Sequence, residues 1–170
     1  MNVIEVTTED MNNGPGLRVV LWVAGCEHHC RGCHNKFTWD VKSGKVDKKV
    51  AINKVITELS NDYIDGITYS GGDPLHPSNI VEIVLIAEYI KLVMPEKSQW
   101  LYTGYTFEQI KHKAKSNVLF ERLLNSIDVI CDGKFNKKLY DSNLKWVGSS
   151  NQRVINVIKS LVNNKIVLIK

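Results

Sequence analysis

Three cysteines, Cys26, Cys30 and Cys33, fall within eight residues, and they follow directly on the apolar run LRVVLWVA at 17–24. A buried strand that runs into such a cluster must end in a loop wrapped around whatever the thiols hold, and this constrains the fold more than any other feature. His28, His29 and His34 stand among the cysteines, so the spacing reads as a ligand set. Structural zinc takes four protein ligands, commonly as two separated pairs. No second pair exists here. Cys131 stands alone in the apolar segment SIDVICDG, where a thiol behaves as a small buried hydrophobe. A zinc site completed by one of the histidines stays open as a reading. Three thiolates suit a 4Fe-4S cube better: such clusters usually take four cysteines, so three leave one iron without a protein ligand, and an open iron is a substrate site.

The rest of the composition narrows the class. A chain of 170 residues, 44% of them hydrophobic, is long enough to bury a sizeable core and is read as one domain over residues 1–170. The most apolar stretch, IVEIVLIAEYIKLVM at 80–94, carries Glu82, Glu88 and Lys91 and falls short of a bilayer span, so no membrane segment is expected. The start, MNVIEVTTEDMNNG, has neither a basic opening nor a continuous apolar core, which argues against a secretory signal. A reducing cytoplasm is the expected compartment, and there cysteines serve metals or catalysis rather than disulfides. Net charge is 22 − 18 = +4, with Lys111, Lys113, Lys115, Lys134, Lys137 and Lys138 in the second half. No aromatic residues interleave with them, so they read as a solvated surface and no nucleic-acid partner is expected.

Strands and helices alternate along the chain. After the NGPG turn at 13–16, residues 17–24 read as a first buried strand. A helix is expected over 47–59, with Asp47 as its cap and Val50, Ile52, Val55, Ile56 and Leu59 facing inward. A short strand at 66–70 ends in the SGGDP turn. A strong helix over 78–94 has Ser78 or Asn79 as its cap and Pro95 beyond its end. QWLYTGYT (99–106) is a strand and turn, Thr106 caps a helix from Phe107, 126–133 is a further strand, and KIVLIK at the C-terminus is a candidate last one. Repeated βα units imply an α/β fold with a mostly parallel sheet. The chain is short for a full eight-unit barrel, which usually needs about 250 residues. A truncated, open barrel-like domain or a wound sheet is expected. In either, functional loops gather at the carboxyl ends of the strands, so the cysteine loop and SGGDP should share one face.

Six segments in order carry a family resemblance: NGPGLR at 13–18, CxHxCxGCHNKxTW at 26–39, SGGDPLHP at 70–77, TGYTFE at 103–108, DVICDGKF at 128–135 and GSSNQR at 148–153. The Cys-x3-Cys-x2-Cys spacing resembles that of radical S-adenosylmethionine enzymes. The whole set is similar to the activating proteins of anaerobic ribonucleoside-triphosphate reductase. Cys131 departs from the pattern, which would place an aliphatic residue there, and the tail beyond Arg153 is less characteristic.

The resemblance implies a 4Fe-4S cluster on Cys26, Cys30 and Cys33, with S-adenosylmethionine chelating the open iron. It further implies a 5′-deoxyadenosyl radical that takes a hydrogen from one glycine of the large reductase subunit. The segment Gly32, Cys33, His34 would touch the cofactor. Gly71 and Gly72 would let backbone carbonyls approach its methionine amino group while Asp73 holds that region electrostatically; read without the resemblance, Asp73 and Pro74 simply form a turn. Ser149 and Asn151, with Ser150 between them, would bind the methionine carboxylate or the ribose, and Tyr105 the adenine or the incoming peptide. Asn13–Gly16 and Arg18 would shape the entrance or the partner surface. Expected partners are the large reductase subunit and a low-potential electron donor such as flavodoxin, and a homodimer or a complex with the reductase dimer is compatible with this reading. Activation of another glycyl-radical enzyme, such as pyruvate formate-lyase, is the nearer alternative; a non-catalytic metal or electron-carrying module is the more distant one.

Overall fold

The structure, a computed structural model, describes residues 1–169. Six strands form one sheet in sequential order: β1 (Val3–Asp10), β2 (Arg18–Val23), β3 (Gly66–Gly71), β4 (Ser98–Tyr102), β5 (Val129–Asp132) and β6 (Arg153–Asn156). The pairs β2–β3, β3–β4 and β4–β5 are parallel, and an antiparallel pair lies at each edge. The expected mostly parallel α/β architecture is therefore present. The sheet ends at β1 and β6 and does not close, so no barrel is formed. Nor does the strand order reverse anywhere, which sets the fold apart from a doubly wound sheet.

Sequential order with right-handed crossovers places the connecting helices on one face. The helices are α1 (Lys48–Leu59), α2 (Ile80–Val93), α3 (Phe107–Ala114), α4 (Val118–Ser126) and α5 (Val157–Val162). Along β2, Val19, Leu21 and Val23 join the main core with Ile67, Tyr69, Leu101 and Ile130 of the next strands and the buried sides of the helices. Each such fully buried aliphatic contributes about 1.5–3 kcal/mol relative to exposure. The strand period of two sends Arg18, Val20 and Trp22 to the opposite face. There a second, smaller core forms from Trp100, Val129, Cys131 and Val154, packed with Tyr102 and Trp146.

The helix signals are met in detail, with two differences. Asp47 caps α1 by accepting from the N–H groups of Lys49 and Val50, and Thr106 with Gln109 forms a capping box on α3. In α1 the inward face is Ala51, Val55 and Leu59, while Val50 is 62% exposed, because the apolar stripe lies one residue later than its β-branched members suggest. Asn79 occupies the N-cap position of α2 but makes no cap bond. Its fully buried amide instead donates to the carbonyls of Ala24 and Asp73, and its Oδ1 accepts from the N–H of Asn2. It thereby ties β1, the end of β2 and the glycine turn together. At the C-terminus KIVLIK forms no named strand; Leu168 makes a single bridge to Ile155, and Lys170 lies outside the described residues. Among the described residues no helix is long and apolar enough to cross a membrane.

Candidate functional site

At the carboxyl end of β2 the chain leaves the sheet through Ala24 and Gly25 into the cysteine loop. The loop is closed on itself at its base: Gly25 and Cys26 donate to the carbonyls of Thr38 and Trp39, and the buried Thr38 hydroxyl donates to Asn35. Inside it, Cys33 N–H returns to the Cys30 carbonyl. His29 (φ 47°) and Gly32 (φ 85°) take left-handed conformations on either side of Cys30, which turn the loop back around its interior. All three thiols are half-buried and line one cavity of about 160 Å³.

The second wall is the turn after β3. Gly71 has φ 103°, and a Cβ there would sit 2.5 Å from the Val23 carbonyl oxygen; one on Gly72 would sit 2.6 Å from that of Gly25. Only glycines admit this approach of the turn to the backbone of the cysteine loop, which is sealed by Gly72 N–H donating to Val23 and Asp73 N–H to Gly25. Both glycines line the thiol cavity. Asp73 does not. It is 2% exposed and turned toward the protein, where it accepts from Leu75 N–H, Thr103 Oγ1–H and Gly104 N–H and lies 2.6 Å from His28 Nε2. A carboxylate only accepts, so Nε2 carries the proton of that bond. One buried carboxylate thus joins the loops after β2, β3 and β4, and His28 is one of its arms.

Gly104 explains the TGYT segment in the same terms. The His28 ring packs directly over it, so a Cβ there would overlap the imidazole, and the ring also meets Tyr105 edge-on at 4.7 Å. Gly104→Ala is expected to destabilise by about 1–3 kcal/mol, the usual cost of overpacking, read as a lower urea midpoint. His28→Ala in the same chain should absorb most of the added loss. Additive losses in the double variant would remove the steric explanation.

The third wall comes from β5 and the segment before β6. Cys131, Gly133, Lys134, Phe135 and Gln152 line the cavity with Tyr102 and Thr103. Gln152 anchors this wall: its Oε1 accepts from the N–H groups of Gly148 and Ser149, and its amide donates to the Gly133 carbonyl. Ser149 and Asn151 stand behind it. The Ser149 hydroxyl is fully buried and donates to Gln152 Oε1 while accepting from Asn136 N–H, and the exposed Asn151 donates to the Lys134 carbonyl. His34 is exposed and packs near Phe135 and Tyr140 outside the cavity lining. The cavity therefore brings together Cys26, Cys30, Cys33, Gly71 and Gly72 and leaves Asp73, Ser149, Asn151 and His34 around it. Gln152 was missed because a glutamine in a polar run carries no sequence signal.

Asn13–Arg18 lies elsewhere. Arg18 pairs in register with Gly66, which pairs with Ser98, so it stands at the amino ends of the strands, opposite the cysteine loop. It is a fully buried strut rather than part of an entrance.

The donor set fits an iron–sulfur cluster. Burial pushes the Cys26 thiol up to about 11, with the charge of Asp73 adding to the effect, and pushes Cys30 in the same direction. Ligation there requires a cation strong enough to displace the protons, as iron is. Among the described residues no three His, Cys, Asp or Glu side chains close on a single ion. The thiols instead border a space several times the roughly 30 Å³ of one water in the liquid, which suits a polynuclear group.

A mostly parallel sheet that carries three cysteine thiols on a loop at its carboxyl end defines an iron–sulfur protein, and the 4Fe-4S single cluster domain family matches residues 12–155. Curated relatives narrow this further. The chain is 43% identical over 154 residues to the anaerobic ribonucleoside-triphosphate reductase-activating protein of Enterobacteria phage T4, covering 91% of this chain and 93% of the relative. It is 40% identical over 156 residues to the protein of that name from Escherichia coli (91% and 97% covered) and 38% identical over 154 residues to that from Vibrio cholerae (89% and 96%). The chain belongs to the family of anaerobic ribonucleoside-triphosphate reductase-activating proteins.

Proposed function

We propose that this chain, as a single domain in the cytoplasm, activates an anaerobic ribonucleoside-triphosphate reductase by radical S-adenosylmethionine chemistry. Cys26, Cys30 and Cys33 would hold a 4Fe-4S cluster, with Gly71 and Gly72 as the wall against which S-adenosylmethionine would bind. Bound there and reduced, such a cluster would supply the one-electron cleavage of the sulfonium to methionine and a 5′-deoxyadenosyl radical, the chemistry by which the α-hydrogen of a reductase glycine would be taken and a glycyl radical left. The chain's own residues orient and shield. The glycine turn presents bare backbone to the methionine part, with Gly32 and His34 flanking the cluster. Asp73 acts as a positioning residue, since its oxygens are engaged by His28, Thr103 and Gly104. Ser149 and Asn151 act behind Gln152 by fixing the third wall.

The observation that carries the reading is the cavity itself, which gathers the three thiols with the turns after β3 and β4 at the carboxyl ends of a sheet that does not close. An open side suits a protein substrate whose glycine segment must reach the radical, and the relatives bear the name of reductase activators. The reading is tested by reconstituting iron and sulfide anaerobically, reducing with dithionite and adding S-adenosylmethionine with the large reductase subunit. 5′-Deoxyadenosine and a glycyl-radical EPR signal on the reductase are the expected products. Colourless protein that retains zinc would sink it, and a radical formed only on pyruvate formate-lyase would reassign the substrate.

A further inference from the structure

Beside the cysteine loop lies a groove of about 620 Å³ whose lining includes Arg31, Lys134, Lys137 and Lys138 and no acidic residue. All four cations are exposed, and among the described residues none has a carboxylate within ion-pair distance. The acidic side chains in the flanking segments are engaged by other groups: Glu27 faces His76, Asp132 and Glu108 pair with Arg153, and Asp141 accepts from Asn143. The groove is also joined to the ligand loop. Arg31 follows Cys30 in sequence, the stem of Lys137 lies against Gly32, 3.1 Å from where a Cβ would sit, and Lys134 and Phe135 line both the groove and the thiol cavity. A cluster held by Cys30 and Cys33 would lie one thin backbone segment from this surface.

We infer that this basic face is the docking site of the acidic one-electron donor that reduces the cluster, an inference that rests on the function proposed above. Charge complementarity selects an acidic partner, and position selects the reductant over the reductase. A glycine substrate must enter the cavity bounded by the turns after β3 and β4, whereas the groove shares only Lys134 and Phe135 with that cavity. A donor needs only proximity to the cluster, because electron tunnelling crosses a thin wall and weakens steeply with distance. Steering by such a patch typically raises association rates by about 10- to 1,000-fold and is screened by salt. The electron passes from the reduced donor to the oxidised cluster, and no bond forms or breaks.

The test uses reconstituted full-length protein and reduced flavodoxin as the acidic donor, with cluster reduction followed by loss of visible absorption. Lys137→Glu with Lys138→Glu is expected to slow reduction by flavodoxin about tenfold or more at low ionic strength, with the gap closing in high salt. Reduction by dithionite should be unchanged. A charge-matched control on distant exposed lysines, Lys49→Glu with Lys115→Glu, should leave both rates as they are. Carbodiimide should cross-link flavodoxin to Lys137 or Lys138 even in the iron-free chain. Equal rates in the groove and control variants would overturn the inference, and so would a groove variant that reduces normally but activates the reductase poorly, since the face would then bind the reductase. Failure of dithionite-reduced wild type to cleave S-adenosylmethionine would strike the proposed function alone, because the reduction rates are read without it.

Discussion

Cys26→Ala, Cys30→Ala and Cys33→Ala are each expected to yield a protein that retains no 4Fe-4S cluster after anaerobic reconstitution and forms no 5′-deoxyadenosine above background, whereas Cys131→Val keeps both. The contrast matters because all four cysteines line the same cavity. Cys131 is 1% exposed on β5, packed with Trp100, Val129 and Val154, and burial pushes its thiol up to about 12, so it sits as a neutral packing group in the smaller core. The other three are half-buried and belong to one loop, whose base is closed by Gly25 and Cys26 donating to the carbonyls of Thr38 and Trp39. Because valine adds about one methyl group at a buried position, Cys131→Val should cost about 1–3 kcal/mol, and urea midpoints measured for all four variants will separate loss of ligation from loss of fold. Iron and sulfide analysis checks the outcome. Cluster loss in Cys131→Val with retention in any of the other three would reassign the ligand set.

Arg18→Ala is expected to destabilise by about 3–5 kcal/mol, because it strands buried acceptors that cost about 1–3 kcal/mol each when left unsatisfied. The guanidinium is fully buried and donates to Thr68 Oγ1, Ser98 Oγ and the carbonyls of Pro15, Ile67 and Ser98, with its charge 5.5 Å from the Trp100 ring centre. Among the described residues no carboxylate lies within ion-pair distance of it; burial lowers its pKa to about 10, with the more distant charges of Asp65 and Asp128 opposing the shift, so it stays charged at neutral pH. Alanine leaves those acceptors facing a cavity, at about 1–3 kcal/mol for each that stays unsatisfied. Since whole domains are stable by only about 5–15 kcal/mol, a large drop in urea midpoint should follow, with Arg18→Lys losing less because an ammonium keeps the charge but cannot span the same five oxygens. A midpoint within experimental error of wild type would show that the bonds at the amino ends of the strands contribute little.

The strands and helices of the central βα units were legible because their signals are local. Asp47 and Thr106 announce their caps, Gly71–Pro74 ends β3, and short continuous apolar runs mark β2 and β5. The elements that escaped have no such contrast. β1 reads as a polar edge strand, VIEVTTED, which gains its place only by pairing with β2, and β6 is four residues long beside it in sequence to a helix of six. α4 begins on Asn117, whose side chain caps Leu119 N–H, but it follows α3 so closely that the two patterns merge.

At the site the division has the same physical origin. Spacing alone marked Cys26, Cys30 and Cys33 as a candidate ligand set, because thiols within eight residues of one loop share a neighbourhood in any fold, and six short segments in order were enough to place the family. Tertiary structure decided what no spacing carries. It turned Asp73 away from the cavity and onto His28, Thr103 and Gly104, moved Arg18 to the far end of the strands, put Gln152 in the wall ahead of Ser149 and Asn151, and brought Cys131 into the same cavity from about a hundred residues away. These outcomes depend on which face of a strand a side chain takes and on which buried donors lie near a carboxylate. Both are properties of the sheet register and its packing, and they exist only once strands distant in sequence have paired.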